Sequence, residues 1–197
     1  MRSAILVVLV ALLASAIAGA APQPLPNALV LVIDRSGSMQ GPNLEAVKEA
    51  AIAAIGTLAP DDQVAVIVFD SESQVFMRSR TARDHKRIAT DIGRLTSGGG
   101  TNMLPALKDS AAVLADLKAR VKHVILLSDG ESPRDGIAEA VKALVKQKVT
   151  ISTVAVAGAD EQLLEDIARD GGGRMYKVTD LHTLAPTYIK ETKLALK

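Results

Sequence analysis

Apolar residues run unbroken from Ala28 to Ile33, and similar β-branched-rich runs recur at Val64 to Phe69, Val121 to Leu127 and Val149 to Val156. Short runs of this kind, bounded by turn residues, predict strands covered on both faces. Between them the apolar positions change to helical spacing, at Leu44, Val47, Ala51, Ala54 and Leu58, then Leu104, Leu107, Ala111 and Leu114, then Ile137, Val141 and Leu144. Buried strands alternating with amphipathic helices predict an α/β domain built on a mainly parallel sheet. Pro60-Asp61-Asp62 is expected to end the first helix. Asp70-Ser71-Glu72-Ser73 supplies turn chemistry leading into an antiparallel edge strand near Gln74 to Met77. Asp160 and Asp180 stand where helix N-caps belong, and Gly171-Gly172-Gly173 stops the helix containing Leu163, Leu164 and Ile167.

The ends of the chain follow other patterns. Arg2 precedes an apolar run from Ala4 to Ala18, and Ala18-Gly19-Ala20 fits an A-x-A cleavage site, so residues 1–20 read as a secretory signal cleaved before Ala21. If the segment is uncleaved, it becomes a membrane anchor. Residues 21–26, with Pro22, Pro24 and Pro26, read as an extended linker, and 27–197 as one domain.

Composition then narrows the function. With 23 basic and 22 acidic side chains in 197 residues, no Trp, two Tyr and two Phe, the chain has neither the charge nor the stacking surfaces for nucleic acid. Cys is absent, which removes disulfides, thiolate metal sites and a cysteine nucleophile. A bound metal must be held by oxygen or by His, and His85, His123 and His182 have no ligand spacing.

In a parallel sheet, loops leaving the strand C-termini gather at one edge, and ligands bind where neighbouring connections diverge. Two such loops carry chemistry, Asp34-Arg35-Ser36-Gly37-Ser38-Met39 and Ser128-Asp129-Gly130-Glu131, and Gly98-Gly99-Gly100-Thr101-Asn102, just before the helix expected from Met103, is placed by the same windings at that edge. Together they offer the carboxylates Asp34 and Asp129 and the hydroxyls Ser36, Ser38 and Thr101, hard donors suited to a small divalent cation. Alternate spacing lets Asp34, Ser36 and Ser38 converge from one short loop. A hydroxyl-rich set leaves the ion electrophilic and open to an outside carboxylate, an Asp or Glu of a partner protein. Taken singly, Ser36-Gly37-Ser38 and Asp129-Gly130 are ordinary turns and Thr101 an ordinary N-cap. It is the joint pattern that points to metal. Glu72 and Glu131 read as rim carboxylates. Arg78, Arg80, Arg83, Lys86 and Arg87 read as a solvated helix start.

These residues resemble the von Willebrand factor type A family, whose metal-ion-dependent adhesion site combines D-x-S-x-S with a distant Thr and a distant Asp. Asp34, Ser36, Ser38, Thr101 and Asp129 match all five positions, and DRSGSM, GGGTN and ILLSDGE look most like bacterial exported members. The resemblance implies a doubly wound, six-stranded sheet with one antiparallel edge strand and helices on both faces. It also implies binding of protein ligands through a cation, Mg²⁺ foremost, with Mn²⁺ and Ca²⁺ open. Two other classes are weighed against this exported binding module. One is a structural subunit with a vestigial edge. The other is a phosphate-ester hydrolase using Asp34, disfavoured because Ser36 stands where a second Asp is usual and no G-x-S-x-G elbow or P-loop is present.

Overall fold

The computed structural model describes residues 24–156 and 158–197, so the expected signal segment and cleavage site lie outside the described residues. Six strands form one sheet: β1 (Ala28–Asp34), β2 (Gln63–Phe69), β3 (Ser73–Thr81), β4 (Lys122–Ser128), β5 (Val149–Val156) and β6 (Gly172–Val178). Their spatial order is β3-β2-β1-β4-β5-β6, and every pair is parallel except β2–β3. The doubly wound α/β class and its antiparallel edge strand are as the apolar runs and the family resemblance imply.

Among the described residues, six α-helices cover the sheet: α1 (Pro42–Ile55), α2 (His85–Gly93), α3 (Met103–Ala115), α4 (Ile137–Lys146), α5 (Glu161–Asp170) and α6 (Leu184–Ala195). Strand residues alternate between two cores, which is why the strands read as unbroken apolar runs. Leu29, Leu31 and Ile33 of β1 meet Val47 and Ala51 of α1, Ile88 of α2 and Tyr188 of α6. Val30 and Val32 meet Leu107 of α3, Val141 of α4 and Leu164 of α5 on the other face. The connection leaving β1 therefore goes to one face and that leaving β4 to the other, and these strands are neighbours. That divergence opens the crevice in which doubly wound sheets bind ligands.

Several local readings change. Helix α1 stops at Ile55, with Gly56 as its C-cap, before Pro60 is reached. Strand β3 continues to Thr81, so Arg78 and Arg80 belong to the sheet edge and only Lys86 and Arg87 to the start of α2. His123 lies within the strand expected there and is a buried residue of β4. Asp160 and Asp180 do act as N-caps, accepting from the Leu163 and His182 amides. Among the described residues no helix is long and apolar enough to cross a membrane.

Candidate metal centre

The three loops meet at the C-terminal edge of the sheet, above the β1–β4 crevice. Asp34 is the last residue of β1 and fully buried. Its Oδ1 accepts the Ser36 amide at 2.8 Å, and its Oδ2 accepts the Ser128 hydroxyl at 2.6 Å. Ser36 and Ser38 hydroxyls lie 3.0 Å apart, and Ser38 donates to Asp129 Oδ1 at 2.7 Å across 91 residues of chain. Thr101 belongs to the loop that crosses from α2 on one face to α3 on the other. Its Oγ1 sits so close to Gly130 that a Cβ there would lie 3.0 Å away, so any larger residue at 130 would press on Thr101. Asn102, not Thr101, caps α3 by accepting the Leu104 amide, which frees Thr101 from the ordinary cap role. All five residues singled out in the sequence are thus brought to one place.

Burial pushes the Asp34 carboxyl above its ordinary range, the Ser128 and Ser36 hydroxyls and the Ser36 amide oppose that, and the nearby Asp129 charge adds to it. No cationic side chain is among the groups that act on it. Two carboxylates and three hydroxyls, with Asp34 and Ser36 buried and Ser38 exposed, match a small hard cation in donor chemistry. Among the described residues no group of three His, Cys, Asp or Glu could hold a metal, so any ion here depends on the hydroxyls.

Sequence reasoning missed the residues that hold the loops. Asp70, read only as a turn, pairs with Arg35 at 2.8 Å, and its carbonyl accepts the Asn102 amide at 2.7 Å. It thereby ties the first loop to the second. Gly99, at φ +82°, approaches so closely that a Cβ would lie 2.9 Å from Asp70 Cβ. Ser71 Oγ accepts the Gly100 amide at 2.9 Å, and Asn43 Nδ2 reaches Asp129 Oδ2 at 3.4 Å. The available signal was a polar cluster in the β2–β3 turn, beside a strand end that had to face the same edge.

A family model described as von Willebrand factor type A domain matches residues 28–190. The uncharacterized protein sll0103 of Synechocystis sp. is 33% identical over 181 residues, which is 87% of this chain and 43% of that protein. A von Willebrand factor type A structure from Catenulispora acidiphila superposes with a TM-score of 0.80 at 28% identity, over 87% of this chain and 43% of that one. Proximal thread matrix protein 1 from the mussel byssus, solved with a zinc-occupied MIDAS motif, gives 0.73 at 21% identity, over 88% and 46%. This chain spans less than half the length of each of these three relatives.

Proposed function

The chain belongs to the von Willebrand factor type A domain family, and we propose that it is an exported binding module that engages an acidic residue of a partner protein through a divalent cation. Asp34, Ser36, Ser38, Thr101 and Asp129 would hold the ion, with Mg²⁺ the best match to few charges and many neutral oxygens. When bound, the ion supplies a positive charge to which an outside carboxylate can attach. The chain's own part is to assemble the donors and to keep cationic side chains of its own out of their way.

The observation that carries this reading is the convergence of Ser36, Ser38 and Asp129 within 2.7–3.0 Å from loops distant in sequence, around a buried Asp34 with no ion pair among the described residues. Topology brings the loops to one edge but does not by itself turn their hydroxyls and carboxylates toward one another. The zinc-occupied site of the mussel relative supports the choice of a cation, without deciding which one. A binding role is favoured over catalysis because the loops carry neither a nucleophile elbow nor a P-loop. Export rests on residues 1–20, and N-terminal sequencing of the mature protein, with Ala21 expected first, tests it.

Capture of partners from the exported fraction, in Mg²⁺ and again in chelator, tests the function. Partners retained only with Mg²⁺ are expected. Identical capture under both conditions would defeat the proposal.

A further inference from the structure

Resting on the cation reading above, we infer that Ser128 is a positioning residue for the metal centre: its hydroxyl locks the carboxylate of the first loop to the turn that carries Asp129. Ser128 is the last residue of β4 and fully buried. Its Oγ donates to Asp34 Oδ2 at 2.6 Å and accepts the Gly130 amide at 3.3 Å. One hydroxyl therefore spans two of the three ligand loops through bonds used in opposite senses, and its single proton is committed to Asp34.

The consequence for Asp34 is orientation. Its Oδ1 is held by the Ser36 amide and its Oδ2 by Ser128, so the carboxylate plane is fixed from both sides. Without the hydroxyl, Oδ2 loses its donor inside a buried pocket, and the carboxylate can turn about its last torsion. The Gly130 amide loses its acceptor at the same time. Gly130 is the residue against which Thr101 rests, so the disturbance also reaches the loop that supplies the third hydroxyl. Ser132 braces the same turn independently, its Oγ accepting the Met103 amide at 3.0 Å just after Thr101. The segment from Ser128 to Ser132 thus cross-links both other loops.

The test is calorimetric titration with Mn²⁺ of the wild type, Ser128→Ala and Ser128→Thr, alongside thermal melts in chelator. Removing groups that orient metal ligands typically weakens metal affinity by about 10–100-fold, and Ser128→Ala should fall in that range while still melting cooperatively. Ser128→Thr keeps the donor and should return to within about threefold of wild type, a rescue that a purely structural hydroxyl would not produce in metal affinity. If Ser128→Ala does not fold, Ser128→Cys, which keeps the volume but donates weakly, takes its place with the same expected loss. Unchanged Mn²⁺ affinity in Ser128→Ala or Ser128→Cys overturns the assignment and leaves the cation site standing. Equal weakening in Ser128→Thr also overturns it. Absence of Mn²⁺ binding by the wild type overturns the cation reading, and this inference with it.

Discussion

Asp34, at the end of β1, and Glu191, on α6, are both wholly buried carboxylates, yet the protein shifts their protonation in opposite directions. Burial alone raises both. At Glu191 it is overcome by the His123 imidazole beside it and by the Tyr176 and Ser152 hydroxyls that donate to it, which together hold the carboxyl at about 2. The contacts are dense: Ser152 Oγ at 2.7 Å, Tyr176 Oη at 2.5 Å, Arg174 Nη1 at 3.0 Å, and His123 Nε2 at 3.3 Å as a charge neighbour without hydrogen-bond alignment. At Asp34 the hydrogen-bond donors are one hydroxyl and one amide, and burial wins. A carboxylate that its own chain has fully compensated serves as a structural pin. One left short of positive charge, at an edge where strand connections diverge, is suited to receive a cation from outside.

The largest way to break this comparison is Glu191→Gln. Breaking a buried, hydrogen-bonded ion pair is expensive, and a carboxyl displaced from 4.5 to about 2 corresponds to about 3 kcal/mol of stability at neutral pH. For a domain of this size that is a fall of about 6–12 °C in Tm. The pH dependence has a definite sign. Because the folded value is depressed, the contribution is complete above the unfolded value of 4.5 and is lost as pH falls toward about 2. Denaturation of wild type and Glu191→Gln from pH 7 to pH 2 should therefore show two curves that converge on acidification. A constant gap would mean that the pin works by shape and not by charge.

The same contrast explains what was legible in the sequence. The central strands could be read because their residues alternate between two cores, leaving no polar face to break the apolar runs. The five candidate ligands could be read because four sit in turn-rich loops at strand ends, which topology brings to one edge, and Thr101 follows a glycine run that opens a helix. Strand β6 was not read as an element, and of helix α6 only the approach was read, through the N-cap at Asp180. The strand GGRMYKV is half exposed at the sheet edge, and α6 mixes Lys190, Glu191 and Lys193 with its apolar residues. Glu191 looks like a surface charge in the sequence, and its partners His123, Ser152, Arg174 and Tyr176 come from three different strands. Asp70 and Ser128 were hidden for a related reason. Their roles lie in contacts between loops, which have no periodicity.

A smaller effect is expected at the other carboxylate. Asp34→Asn removes a buried charge without a cationic partner, so in chelator its stability should stay within about 1 kcal/mol of wild type. Adding Mg²⁺ at about ten times its Kd should stabilise the wild type by about 1.4 kcal/mol, or about 3–6 °C. Asp34→Asn should show no such shift. Melts of both proteins with and without Mg²⁺ measure it, and an equal rise in both would remove Asp34 from the site and collapse the distinction drawn from Glu191.

Thr101→Ala should disturb the fold least, and it separates donor chemistry from carboxylate charge. The residue is only half-buried, and Asn102 already caps α3, so loss of the hydroxyl should cost within about 0.5 kcal/mol. Both carboxylates, their hydrogen bonds and the Ser128 brace remain. What disappears is one neutral oxygen, facing Gly130, from a donor set in which hydroxyls outnumber carboxylates. A small ion that demands near-octahedral geometry tolerates the loss of such a donor poorly, so Mg²⁺ and Mn²⁺ binding, and with them capture of an acidic partner, should fail in a protein whose melt in chelator matches wild type. Calorimetry with Mn²⁺ and circular dichroism of the same samples decide the matter. If the variant binds Mn²⁺ as tightly as wild type, the carboxylates alone hold the ion, and the hydroxyl-rich, outward-open character attributed to this edge is wrong.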